Sequence, residues 1–327
     1  MDPPMIPVLM ANFALLGVGG FVAPRHLAAI RDTGNRLIAA CDPFDSVGVI
    51  DSYFPDAAFF TEFERFDRFL EKRRREGPTN AVDYVSICSP NYLHDAHVRL
   101  AMRLHANAIC EKPLVINPWN LDQLQALELE YRSNVWTVLQ LRHLPALMKL
   151  REELRANPPK TKKDVLLTYI TRRGRWYHHS WKGDDAKSGG LAMNIGIHLF
   201  DMMLWLFGDA SHLEIHAREP GRVSGIMDLE HAHVRWFLSV NEEHLPDEVR
   251  QEGGYAYRSV QMDGEEIEFS TGFKDLHTTV YREIMAGRGH GIEDARPAIE
   301  LAYRVRTQPV ERPRDSVHPS FFPTSLA

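Results

Sequence analysis

Five groups of residues have types and spacings that could do chemistry. The first is the turn Gly17-Val18-Gly19-Gly20-Phe21-Val22, which follows the apolar run NFALL. Glycines at its first and third positions permit a sharp turn and let a pyrophosphate approach the backbone. A dinucleotide turn wants a further glycine where this chain has Val22, so the match to GxGxxG is incomplete. The second is Asp42, about 25 residues on, near the spacing of an acid that pairs with ribose hydroxyls. A carboxylate there repels a 2′-phosphate and so favours NAD over NADP. The third is CSPNYLH, where Ser89, Pro90, Asn91 and His94 are placed to touch a cofactor. Asn91 serves equally well as a helix cap, and His94 as a surface helix residue. The fourth is Glu111-Lys112-Pro113. A lysine beside a positive nicotinamide has a lowered pKa and can assist deprotonation of an alcohol; the plainer reading is a surface ion pair. The fifth lies in GGLAMNIGIHLFDMMLWLFG, residues 189–208, where Asn194, His198 and Asp201 stand four and then three residues apart. On one α-helix these share a face. They are either a satisfied polar stripe in the core or one wall of a site.

Other chemistries lack their residues. His231 and His233 alternate on an expected strand, and His178 and His179 are adjacent, but no HExxH or paired-cysteine spacing occurs. No metal site is expected. Neither a GxSxG elbow nor a Walker sequence is present, which argues against acyl transfer and P-loop phosphoryl transfer.

The elements that must position these groups alternate. Apolar strands at NFALL, RLIAACD, AVDYVSIC, NAIC and VWTVLQLR are separated by helices such as APRHLAAIRDTG, TEFERFDRFLEKRRREG, LHDAHVRLAMRLH and NLDQLQALELEYRSN. That rhythm means βαβ units and a parallel sheet, so residues 1–145 read as a doubly wound α/β domain. The basic run EKRRREG suits a solvated helix end. Residues 146–327 read differently. DVLLTYITRRGRWYH, HLEIHARE, EHAHVRWFLSV, YRSVQMDG and EEIEFS are short, mostly alternating runs, expected to form a mostly antiparallel sheet. DLHTTVYREIMAG and EDARPAIELAYRVR read as closing helices. The first ten residues and the Pro-rich tail from Thr307 read as irregular.

The chain has 327 residues, a net charge of −6 and three cysteines, Cys41, Cys88 and Cys110, far apart in sequence. The charge argues against a nucleic-acid partner, and the cysteines against a disulfide framework. No signal peptide and no membrane-spanning run of about 20 apolar residues is expected. A cytoplasmic protein is the expectation.

Taken in order, the Gly turn at 17–20, Asp42, SPNYLH, EKPL and the GG…NIGIHLFD helix resemble the Gfo/Idh/MocA oxidoreductases. The resemblance implies a Rossmann domain, then an α/β domain on an open, predominantly antiparallel sheet, with NAD in the cleft between them. The family lysine falls on Lys112. The family's helix carries an Asp four residues before its His, where this chain has Asn194 before His198. DSVGVIDSYFPDAAFFTEFERFDR, DYVSICSPNYLHDAH, LQLRH, SWKGD, RWFLSV and GFKDLHTT narrow the resemblance to the family's UDP-N-acetylglucosaminuronate 3-dehydrogenases, in which Asn at that position is usual. That subgroup implies oxidation of a UDP-sugar 3-hydroxyl by NAD⁺ on the way to a diacetamido-uronic acid of bacterial surface polysaccharide. It also implies a homotetramer and, in some members, reoxidation of NADH by 2-oxoglutarate. It implies that His198 accepts the hydroxyl proton, Lys112 polarises the oxygen, Asn194 orients the sugar and Asp201 buttresses the helix. Gln140 and Tyr177 join the substrate-binding candidates, and Trp181 joins the cofactor contacts with Glu111, Phe21 and Val22. For the uronate the candidates are Arg142, Arg172, Arg173 and Lys182, because carboxylates favour cationic forks. Trp176, Tyr177 and Trp181 pack either on ligand or in the interdomain core. Two other readings stand beside this one: a dehydrogenase of another sugar or cyclitol, and a non-catalytic NAD-binding sensor or assembly protein.

Overall fold

The computed structural model describes residues 10–267, 269, 275–313 and 316–321. Most of the expected N-terminal arm, part of GFKDLHTT, the end of EEIEFS and much of the tail lie outside them.

Two six-stranded sheets organise the chain. The first comprises β1 (Asn12–Leu16), β2 (Arg36–Cys41), β3 (Ala58–Phe60), β4 (Tyr84–Ile87), β5 (Asn107–Cys110) and β6 (Val135–Thr137). They lie in the order β3-β2-β1-β4-β5-β6, and every pairing is parallel. Helices cover both faces, so β1 is buried along its whole length and needs apolar residues without alternation. The order reverses at β1, which places the crevice for a ligand at the carboxyl ends of β1 and β4.

The second sheet comprises β7 (Lys163–Thr171), β8 (Ala210–Glu219), β9 (Arg222–Leu229), β10 (Ala232–Ser239), β11 (Ala256–Met262) and β12 (Glu265–Glu266). Its order is β12-β11-β7-β10-β9-β8, antiparallel except where β7 meets β10. The helix Ile197–Phe207 lies on one face, where Phe200 meets the buried Trp236 edge to face, centroids 5.4 Å apart.

The structure corrects the element boundaries in four places. β3 and β9 were not expected. β9 is buried at nearly every position, so RVSGIMDL lacks the alternation that marks a half-exposed strand. The strand expected through Arg142 stops at Thr137, and residues 140–143 form a 3-10 turn. The helix expected over 189–208 is not continuous. Asp185–Ser188 ends at Gly189 and Gly190, both with φ near +80°, and the chain resumes as a π-turn, Ala192–Gly196, before the α-helix Ile197–Phe207. Contrary to the expectation that no run is long enough, Asp185–Phe207 is long and apolar enough to cross a membrane by length and composition. Its most apolar window is 78% buried within the protein, as befits a core helix.

The chain does not stay divided at residue 145. The helix Leu276–Met285 packs on the helix Ala23–Asp32, and Tyr281 stacks on Phe13 of β1, 5.8 Å between centroids. The helix Ile292–Thr307 packs against Ile197–Phe207, Trp119–Tyr131 and β6. The first of these helices thus packs on the N-terminal half, and the second bridges both halves.

Candidate active site

The Gly turn sits where β1 ends. Gly17 has φ +86°, and a Cβ there would stand 2.6 Å from the Ser89 backbone N and 2.7 Å from the Cys88 carbonyl group. Only glycine permits this approach of β1's exit to β4's exit. Asp42, buried at the end of β2, accepts from the backbone N–H of Gly19 at 2.9 Å and of Phe44 at 3.0 Å. One lone pair per oxygen remains for ribose hydroxyls. Val22 immediately precedes the helix Ala23–Asp32, so turn, helix N-terminus and carboxylate form a cradle that fits the diphosphate and ribose of NAD. Phe21 stands exposed on its rim.

The CSPNYLH residues reach the same strand end, and their side chains act as ties. Ser89 Oγ pairs with His97 Nδ1 at 2.9 Å. Asn91 Nδ2 donates to the Ser188 carbonyl at 2.9 Å, joining the two halves of the chain, and makes no helix cap. His94 is buried, its two ring nitrogens 2.7 and 2.8 Å from the carbonyls of Pro113 and Ser89. The surface reading of His94 is therefore overturned.

Glu111 and Lys112 leave β5 at the centre of the cleft, and the Lys112–Pro113 peptide is cis. The surface ion-pair reading fails, because Glu111 is buried. Its Oε1 accepts from His26 Nε2 and from His277 Nε2, both at 3.0 Å. His26 Nδ1 meets Tyr281 Oη at 2.7 Å, and that hydroxyl meets Ser86 Oγ at 2.6 Å. Burial alone would raise the Glu111 carboxyl, but the two histidine hydrogen bonds prevail and hold it well below the usual carboxylate range. Burial lowers His26, which is thus neutral and donates through Nε2 while accepting from Tyr281. Among the described residues His26, Glu111 and His277 form a histidine–carboxylate cluster compact enough for an ion, with donor atoms within 4.8 Å. Hydrogen bonds of ordinary length account for its geometry.

Lys112 is half-buried, and its Nζ lies 3.4 Å from the Asn194 carbonyl in the π-turn. Burial lowers its pKa; Glu111 opposes this, and Lys182, Arg173 and Arg258 add to it. Burial, followed by the Lys112 charge, holds the His198 imidazole well below its usual range, so it is neutral near pH 7. Asn194 Nδ2 donates to Tyr177 Oη at 3.3 Å, which fixes the amide. Gln140 carries a buried amide oxygen with no partner among the described residues.

The expected uronate ligands separate. Arg142 is bound to Asp201 at 2.7 and 3.1 Å and to Asp294 at 3.0 Å, with both Arg142 and Asp201 buried. That fork is spent on structure, which gives Asp201 the buttressing role expected of it. Arg172 is exposed and paired with Glu242 at 2.7 Å. Arg173 and Lys182 act electrostatically on Lys112. The Lys182 ammonium lies 5.3 Å from the Trp176 ring and 5.5 Å from the Trp181 ring. Arg258 was missed. It stands on β11, shares a face with the buried Val260, and lies on Tyr169, which it also bonds at 3.1 Å. It disfavours the charged forms of both Lys112 and His198. None of Arg173, Lys182 and Arg258 has a carboxylate partner among the described residues.

A glycine cradle closed by a ribose-pairing acid, facing a lysine and a neutral histidine, defines a nicotinamide-dependent dehydrogenase. The chain belongs to the Gfo/Idh/MocA family: residues 11–138 match its "NAD-binding Rossmann fold" and residues 162–236 its "C-terminal alpha/beta domain". It is similar to the WlbA (WbpB) dehydrogenase of Thermus thermophilus, 51% identical, TM-score 0.91, over 95% of this chain and 100% of that one. That protein has been crystallised with NAD and α-ketoglutarate and with NAD and UDP-GlcNAcA. The WlbA dehydrogenase of Bordetella pertussis is 17% identical, TM-score 0.72, over 94% and 98% of the two chains, and shares the fold. Among curated sequences, the uncharacterized oxidoreductase YgjR of Escherichia coli is 25% identical over 64% of this chain; the match spans 62% of that relative's length.

Proposed function

We infer that this chain oxidises the 3-hydroxyl of UDP-N-acetylglucosaminuronate to a ketone with NAD⁺, as a cytoplasmic homotetramer serving bacterial surface-polysaccharide synthesis. One observation supports the reading: Lys112 Nζ lies 3.4 Å from the Asn194 carbonyl, one turn before His198, and its cationic neighbours Arg173, Lys182 and Arg258 have no carboxylate partner among the described residues. Gly17, Gly19 and Asp42 would hold NAD⁺, which would supply the hydride acceptor for C3. His198 takes the hydroxyl proton. Lys112 donates a hydrogen bond to the oxygen as it becomes a carbonyl, a contact that strengthens along the reaction. Asn194, fixed by Tyr177, orients the sugar. Arg173, Lys182 and Arg258 meet the substrate's negative charges, and a carboxylate at C6 is the group that distinguishes the uronate from its neutral relative. The same cations suit 2-oxoglutarate, a dicarboxylate whose reduction to a 2-hydroxy acid reoxidises bound NADH. The test compares kcat/KM for UDP-N-acetylglucosaminuronate and UDP-N-acetylglucosamine, with and without 2-oxoglutarate. The uronate is preferred by about 30- to 1000-fold, a stranded cation costing roughly 2–4 kcal/mol. Arg258→Ala narrows that preference. Equal values for the two sugars would refute the carboxylate reading, and bound NADH without turnover on any sugar would make the chain a sensor.

A further inference from the structure

The polar cluster beneath Lys112 has no counterpart in the roles just assigned. Glu111 is buried, directly precedes Lys112, and is gripped by two histidines from opposite ends of the chain. His26 comes from the first helix and is fully buried; His277 comes from the helix Leu276–Met285. Their rings pack edge to face, 5.1 Å between centroids, and Tyr281 and Ser86 complete the chain of hydrogen bonds. An isolated carboxylate this deep would take up a proton or draw in a partner. Two N–H donors aimed at one oxygen keep it charged and fixed in place.

We propose that His26 and His277 are positioning residues that hold Glu111 as a permanent anion beneath Lys112, and that this anion keeps Lys112 a cation while it holds the reacting oxygen. The proposal rests on the dehydrogenase reading for the role of Lys112, and on the hydrogen bonds alone for the charge. Lys182, Arg173 and Arg258 all disfavour the charge of Lys112, and Glu111 is the carboxylate that favours it. His198, also near, is neutral. Around Glu111 itself, burial keeps Cys88, Cys110 and Tyr281 protonated and uncharged, and holds His94 low. Among the described residues, the two histidines are the groups that act most strongly on Glu111. Removing the anion therefore lowers the pKa of Lys112, and the alkaline limb of the pH profile moves to lower pH.

The experiment reads Lys112 directly, without substrate. The holoenzyme with bound NAD is reductively ¹³C-methylated, and the Lys112 resonance, assigned by its loss in Lys112→Met, is titrated in wild type, Glu111→Gln, His277→Leu and His277→Gln. Glu111→Gln and His277→Leu lower the titration midpoint by about one unit or more, the size of a lost neighbouring charge. His277→Gln, whose amide still donates, returns it toward wild type. The alkaline limb of kcat/KM moves with it in each variant. A midpoint unchanged in Glu111→Gln and His277→Leu, with only a fall in melting temperature, would overturn the proposal. If Glu111→Gln does not fold, His277→Leu decides alone. Stoichiometric metal in the purified wild type, lost in His277→Leu, would overturn it as well, because Glu111 would then be a ligand. Failure of the UDP-sugar assay leaves the titration intact, so the two readings fail separately.

Discussion

On the floor of the cleft, charges already have partners: Glu111 has two histidine N–H donors, and Arg142 has the buried Asp201 and the more exposed Asp294. On its rim, Arg173, Lys182 and Arg258 stand without carboxylate partners among the described residues and rest on aromatic rings or nothing. The same side-chain chemistry does two jobs. Floor charges have already satisfied one another and hold the halves together. Rim charges have no such partner among the described residues, and the proposed function assigns their counter-charge to a ligand. An arginine in a cleft is thus informative only once its partner is known.

The contrast breaks first at Arg142. Arg142→Met strands two aspartates, one of them fully enclosed, and lowers unfolding free energy by about 3–5 kcal/mol. Urea unfolding measures this; a loss of activity with unchanged stability would move Arg142 to the rim and restore it as a substrate ligand. Lys112 stands between floor and rim. Lys112→Met lowers kcat by about 10²- to 10³-fold with little change in the NAD dissociation constant, since the lost contact belongs to the developing ketone. Stopped-flow single turnovers with a separate NAD titration check it, and substantial residual turnover would reduce the lysine to a packing element. The smallest effect concerns the cofactor. NADP⁺ binds at least about tenfold more weakly than NAD⁺, because the backbone N–H groups of Gly19 and Phe44 hold the Asp42 carboxylate where a 2′-phosphate would have to sit. Equal affinities by calorimetry would show that the carboxylate swings aside.

The cofactor side was legible in the sequence because its signals are local. A glycine turn after a strand and an acid after the next strand sit close in sequence, and the structure puts Gly19 of the turn in contact with Asp42. Lys112 and His198 were legible through the family resemblance and through their places at an element end and on a helix face. The partners of Glu111 were not. His26 and His277 lie 85 and 166 residues from it, and no spacing rule links them. A signal existed in each: His26 shares the buried face of its helix with Ala23, Leu27 and Ile30, and a polar residue on such a face asks for a partner. Arg258 carried no such signal: it is an exposed residue of AYRSVQM, and only the fold brings it near Tyr169 and Lys112. Arg142 misled because type and position suited a carboxylate fork; it found two such groups within the protein.

The grip on Glu111 also bears on the order in which the molecule comes to life. A ribosome delivers β5 and the first helix long before it delivers His277, and a growing chain moves at roughly 5–20 residues per second. For that interval the nascent N-terminal half has one of the two donors for its central carboxylate, and lacks Tyr281 against His26. The sheet's middle stays polar and under-satisfied until His277 and Tyr281 have emerged. Catalytic competence is thereby tied to the completeness of the message: a product truncated before residue 277 can fold a nucleotide cradle yet leaves its lysine over an unsecured charge.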